Sequence, residues 1–167
     1  MVRYGIVHNK HQLTGEVVRM INILFISVEG NTRTFIQKLT DYAEQQHAKD
    51  DQAPLINAKE ISDVTPFADE TADYFVFVPT YLDGGNGIDN GVKELMTNSL
   101  GEYIGYNDNA THCRGVIGSG NRNFNQQYCL TARRYAEQFN APFLNDYELR
   151  GTTDDVARIY TTLVENN

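Results

Sequence analysis

MINILFISVEGNTRTFIQKLTDYA, residues 20–43, passes from strand to loop to helix without a break. Ile21 to Ile26 is a continuous apolar run interrupted only by Asn22. Such a run suits a strand buried on both faces. The polar stretch SVEGNT follows at 27–32, and Phe35, Ile36, Leu39, Tyr42 and Ala43 then recur at helical spacing.

The same alternation continues outward. Leu55 to Ile61 is a weaker strand candidate. Tyr74 to Val78, YFVFV, is a strong one, aromatic and β-branched. Ile88, Val92, Leu95 and Met96 predict the next helix, and the polar run Asn107 to His112 an insertion or turn. Val116 and Ile117 mark a strand, and Phe124, Tyr128, Ala132, Tyr135, Ala136 and Phe139 a helical face. Pro142 to Leu149 is the last strand, broken by Gly151. Thr152 or Thr153 then caps a helix with Asp154 and Asp155 in its first turn and Val156, Ile159, Tyr160, Leu163 and Val164 on its apolar stripe. Strands alternating with helices predict an α/β fold, a doubly wound five-stranded parallel sheet between two helical layers.

The chain has 167 residues, enough for one domain with a real core, and 41% of them are hydrophobic, as in a globular protein. No apolar run approaches the ~20 residues of a bilayer span, and the N-terminus has no signal-peptide core, so no membrane partner and a cytoplasmic location are expected. The net charge is -8 and no Lys/Arg cluster is present, which argues against nucleic acid. Cys113 and Cys129 form neither CxxC nor a metal quartet and read as free cytosolic thiols; a redox pair would need them to meet in space.

Residues 1–19 are polar, aperiodic and contain His8 and His11, read as solvated rather than metal-binding. Met20 opens the first strong strand and is expected to be the natural start, with 1–19 a non-native or disordered leader. Gly15-Glu16-Val17 can be encoded by a purine-rich ribosome-binding sequence, as in a translated upstream region. Residues 20–167 then form the domain.

In open parallel sheets, ligands bind beyond the carboxyl ends of the strands. Three polar, glycine-bearing segments leave strands there: SVEGNT (27–32), PTYLDGGNG (79–87) and GSGNRNF (118–124). The first opens a helix, where backbone N–H groups with Ser27, Asn31 and Thr32 make an anion cradle and Gly30 permits the turn. It lacks GxxxxGK[ST] and GxGxxG, so a phosphate monoester suits it better than a triphosphate; a ligand-free N-cap turn fits the residues equally well. In the second, Tyr81 can stack on a planar ligand that Gly84, Gly85 and Gly87 let the backbone approach, or it is half-buried in a flexible loop. In the third, Asn121 and Asn123 offer donors and acceptors, Arg122 faces ligand or solvent, and Phe124 packs in the core.

The order strand, Ser-bearing phosphate loop, helix and Pro-Thr-Tyr-Gly-rich loop resembles the flavodoxins. GVIGSGNRNF (115–124) with FNAPFLNDYELRGTTDDV (139–156) resembles more specifically the NrdI family, flavodoxin-like FMN proteins associated with class Ib ribonucleotide reductase. The resemblance runs from about Met20 to the C-terminus. It implies a flavodoxin-like fold and non-covalent FMN. The phosphate would lie on Ser27, Glu29, Gly30, Asn31 and Thr32, mainly on backbone N–H groups, with the Glu29 side chain turned away. The isoalloxazine would lie between Thr80, Tyr81, Leu82, Asp83, Gly84 and Gly85 and the wall of Ser119, Gly120, Asn121, Asn123 and Phe124.

The family function so implied is reduction of dioxygen at the flavin to an oxidant such as superoxide. That oxidant serves assembly of the dimanganese-tyrosyl radical cofactor in the reductase small subunit, the implied partner alongside a flavin reductant. The protein would be a redox accessory rather than a stand-alone enzyme. Leu82 and Asp83 between Tyr81 and the glycines, and the extended 107–112 segment, depart from the family pattern. The net charge of -8 with Asp83 in the flavin loop would disfavour an anionic reduced flavin. No Ser/His/Asp, Cys/His or paired-carboxylate set is apparent, and His47 and His112 read as surface residues. Two other readings fit: a general flavodoxin carrying electrons to unrelated partners, and a flavin-free binding module.

Overall fold

A computed structural model describes residues 3–9, 12–80, 82–83, 93–94, 99–123 and 128–167, with side chains from residue 17 onward except in 82–83 and 93–94. Its central strand, β2 (Gln12–Phe25), is flanked by parallel β3 (Leu55–Glu60) and β4 (Tyr74–Pro79), and β7 (Cys113–Gly120) and β8 (Phe143–Glu148) extend the sheet beyond β4. These five parallel strands run β3-β2-β4-β7-β8, the 2-1-3-4-5 order of a flavodoxin-like sheet. The order reverses between β2 and β4, where such sheets bind their ligands.

Alternation along the strands builds two cores. Phe75 and Phe77 of β4, with Ile21, Ile23 and Phe25 of β2, meet α1 (Asn31–Lys49) and α4 (Thr153–Asn166) on one face. Tyr74, Val76 and Val78, with Leu24 and Ile26, meet α2 (Ser99–Ile104) and α3 (Leu130–Gln138) on the other. Every residue of β4 is buried, as its unbroken apolar run predicts. Asn22, the one interruption in the apolar run 21–26, is buried but satisfied: it donates to the Asp73 carbonyl at 3.2 Å and accepts from Asn57 at 3.0 Å.

Three expectations are corrected. β2 does not open at Met20 but at Gln12, and it pairs antiparallel with β1 (Arg3–Asn9) from Arg3↔Met20 to Asn9↔Gln12. Val17 is exposed and Val18 buried, a period-2 signal two residues long, too short to be read as a strand. The helix expected from the 88–96 stripe is not what the described part of that segment forms. Lys93–Glu94 (β6) pairs antiparallel with Leu82–Asp83 (β5), and the helix is α2. Ile88, Val92, Leu95 and Met96 lie outside the described residues.

The polar 107–112 segment is a plug rather than a plain turn. Asn109, 1% exposed at the start of a 3-10 turn (Asn109–His112), accepts from the Glu70 amide at 2.7 Å and donates to the Ala68 and Tyr103 carbonyls. The Tyr74 hydroxyl donates to its carbonyl at 2.8 Å. Among the described residues no helix is long and apolar enough to cross a membrane.

Candidate functional site

The loops leaving β2, β4 and β7 end at the carboxyl edge of the sheet. The β2 loop turns into α1 through Gly30, whose φ of 87° is open to glycine and poor for other residues. Gly30, the N-cap residue, has no side chain with which to cap this helix end. The first intrahelical bond is Thr34 N–H to the Gly30 carbonyl at 2.9 Å, so the N–H groups ahead of it have no acceptor in the helix. Ser27 Oγ takes one of them, from Arg33, at 3.3 Å. Glu29 is exposed, and α1 has no acid in its first turn. Thr32, in that turn, is 1% exposed, and its hydroxyl has no hydrogen-bond partner.

The β4 and β7 loops are tied to each other. Thr80 is buried; its N–H donates to the Ser119 carbonyl at 2.9 Å, and its Oγ1 accepts from Thr131 N–H of α3 at 3.0 Å. Ser119 is buried beside it. Gly120 lies so close to α3 that a Cβ there would meet Cys129 N at 3.3 Å and Tyr128 Cδ2 at 3.4 Å. Asn121 accepts from the Asn123 amide at 3.0 Å, a local turn. Tyr81, Gly84, Gly85 and Phe124 lie outside the described residues, and Leu82 and Asp83 are described only as backbone in β5.

Arg122 faces neither open solvent alone nor the cradle. Its guanidinium stands 4.7 Å over the Tyr128 ring and 3.4 Å from Asp146, while its amide donates to Glu148 at 2.8 Å. Burial, with the Asp146 carboxylate to which it donates at 2.9 Å, pushes the Tyr128 phenol far above its ordinary range.

The remaining titratable groups are structural. Cys113 and Cys129 are free, and burial pushes their thiols up to about 11 and about 12, so neither is a ready nucleophile. His47 Nδ1 is 2.9 Å from the Ala53 carbonyl, and His112 Nδ1 is 3.2 Å from Asp73. Among the described residues no His/Cys/Asp/Glu group is suited to a metal ion.

Two features here escaped the sequence reading. The turn 149–151 before α4 reaches the β2 loop: Arg150 Nε donates to Asn31 Oδ1 at 3.1 Å. A cleft of about 560 Å³ opens between them, lined by Asn31, Arg122, Glu148, Arg150 and Thr152 among others. The only signal was that YELRGTTDDV carries an arginine between the last strand and the capped helix.

A helix end whose first two amides have no acceptor in the helix, a positive-φ glycine and a buried threonine hydroxyl unpartnered among the described residues fit a phosphate group in this cradle. The described residues thus suit the phosphate of a flavin mononucleotide.

Residues 23–161 match the family model described as NrdI flavodoxin-like. A NrdI-like protein of Streptococcus pyogenes serotype M18 is 46% identical over 86% of this chain and 92% of its own length. Protein NrdI of Mesoplasma florum is 31% identical over 86% of this chain and 83% of its own. A short-chain flavodoxin associated with a non-canonical PDU bacterial microcompartment is similar in fold, with a TM-score of 0.61 at 17% identity over 88% of this chain and 95% of that one. Two-electron reduced Megasphaera elsdenii flavodoxin is similar too, with a TM-score of 0.56 at 13% identity over 87% and 99%. This chain belongs to the NrdI flavodoxin-like family.

Proposed function

We propose that this protein binds FMN non-covalently at the carboxyl edge of its sheet and serves class Ib ribonucleotide reductase. The observation that carries the reading is the cradle at α1, where Thr32 keeps a buried hydroxyl without a partner among the described residues, beside a helix end whose N-cap is glycine. An unsatisfied buried hydroxyl costs stability and is expected where a ligand completes it. Family membership supports the link to the reductase.

In this reading the α1 amides, Ser27, Asn31 and Thr32 hold the phosphate, with Glu29 turned to solvent. The Thr80–Ser119 and Thr80–Thr131 bonds set the spacing between the two ring-binding loops. Gly120, pressed against Cys129, leaves the wall low enough for a planar ring. Bound flavin supplies the reduction of dioxygen to the oxidant used by the manganese-loaded small subunit. The protein binds and orients the flavin and leaves dioxygen a path to it.

The test is the visible spectrum of the purified protein during stepwise reduction, with and without the manganese-loaded small subunit, together with tyrosyl radical yield after admitting oxygen. A yellow protein whose presence raises radical yield is expected. A colourless protein that takes up no FMN, or a radical yield independent of it, overturns the reading.

A further inference from the structure

We infer that Arg150, outside the three loops, is the cationic ligand of the phosphate held at α1 and makes the site select phosphorylated over unphosphorylated flavin. The inference rests on the flavin reading above and deepens it.

Four arginines of this chain are matched to acids. Arg33 faces Glu60 at 2.8 Å, Arg114 faces Asp73 at 3.6 Å, Arg122 faces Asp146 at 3.4 Å and Arg158 faces Asp155 at 2.6 Å. Arg150 has no carboxylate partner among the described residues; its Nε meets the neutral amide oxygen of Asn31. The two acids lining the cleft are engaged elsewhere. Glu148 accepts the Arg122 amide at 2.8 Å, and Asp155 accepts the Thr152 amide at 2.7 Å and Arg158 at 2.6 Å.

The backbone beneath Arg150 is fixed. Lys38 of α1 donates to the Arg150 and Gly151 carbonyls, both at 3.3 Å. The Leu149 amide donates to the Gly120 carbonyl at 3.0 Å, tying the same turn to the third loop. Leu149 holds φ 54° and Gly151 φ 68°, both left-handed. For leucine that conformation is disfavoured and is kept only where surrounding contacts impose it. The turn is therefore built to present Arg150 beside Asn31, at the first residue of α1 and one position from the unpartnered Thr32 hydroxyl. A phosphate dianion in the cradle offers the guanidinium a charge-assisted bond in place of a neutral one.

The test titrates apoprotein with FMN and with riboflavin, in wild type, Arg150→Gln and Arg150→Lys, at low and high salt. Arg150→Gln should weaken FMN binding about 10- to 100-fold, leave riboflavin affinity unchanged and flatten the salt dependence; Arg150→Lys should recover part of the loss. Unchanged FMN affinity, or FMN and riboflavin weakened by the same factor, overturns the assignment of Arg150 while leaving the flavin reading intact. A wild type that binds neither flavin overturns that reading, and this one with it. Should Arg150→Gln fail to fold, the FMN-to-riboflavin ratio of Arg150→Lys decides: a ratio below wild type supports the assignment and an unchanged ratio opposes it.

Discussion

Helices α1 and α4 pack against the same face of the sheet, yet their N-termini are built in opposite ways. At α4, Thr152 holds an extended conformation, its hydroxyl accepts the Asp155 amide at 3.2 Å, and Asp155 accepts the Thr152 amide at 2.7 Å. That capping box satisfies two donors with the chain's own side chains. At α1 the N-cap is Gly30, which has no side chain; Ser27 Oγ accepts only the Arg33 amide at 3.3 Å, and the buried Thr32 hydroxyl has no partner among the described residues. One helix end meets its donors with a reciprocal capping box, and the other leaves its first two amides and a threonine hydroxyl for the proposed ligand. The contrast also separates two glycines. Gly30 faces open space, its added Cβ meeting only Arg33 Nη1 at 3.9 Å, whereas one on Gly151 would stand 2.5 Å from Phe35 Cδ2.

The largest effect should therefore come from Gly151→Ala. Positive φ and overpacking against Phe35 together cost about 2–5 kcal/mol in urea unfolding, against about 1–2 kcal/mol for Gly30→Ala, which carries the backbone cost alone. Equal losses at the two sites would break the comparison.

Threonine replacements should split stability from binding. Thr32→Val removes an unpartnered hydroxyl, so thermal unfolding of the apoprotein should not fall, while FMN affinity drops about tenfold. Thr152→Ala, at the rim of the same cleft, should do the reverse, losing about 1 kcal/mol of stability with a smaller loss of FMN affinity than Thr32→Val. If Thr32→Val destabilises the apoprotein as Thr152→Ala does, the α1 end is an ordinary helix start.

The smallest effect is in acid. Burial works against the Asp155 carboxylate, but its bonds to the Thr152 amide and hydroxyl and the Arg158 guanidinium beside it hold its carboxyl below the ordinary 3.8. A carboxyl depressed in the folded state stabilises at pH above its unfolded value and loses that contribution as pH falls through the folded one. The stability gap between wild type and Asp155→Asn should thus be full above about pH 4 and narrow below the unfolded value of 3.8. A gap unchanged in acid would contradict the capping role.

The layered sheet was legible because its strands are buried on both faces: YFVFV has no other reading, and the Gly151, Thr152, Asp155 sequence spells its own cap. Less was legible where structure depends on distant partners. Asn109 looks like a turn residue, and only the packing of Ala68, Glu70, Tyr74 and Tyr103 around it makes it a buried plug. The β5–β6 pairing of Lys93–Glu94 with Leu82–Asp83 went unread because a short apolar pattern does not exclude strand pairing. Of the candidate site, the three polar segments 27–32, 79–87 and 118–124 were within reach of motif reading, but the direct Thr80–Ser119 bond was not, since those residues read as opposite walls of a ring site. Arg150 was not, since it lies 119 positions from the Asn31 it meets.

The central claim is that the α1 end is completed by a flavin phosphate. It is tested most directly by titrating purified apoprotein with FMN and riboflavin and following flavin fluorescence. The account predicts FMN binding at least about 100-fold tighter than riboflavin, the contribution of several phosphate bonds at one helix end. Equal affinity for the two, or no binding of either, would contradict it.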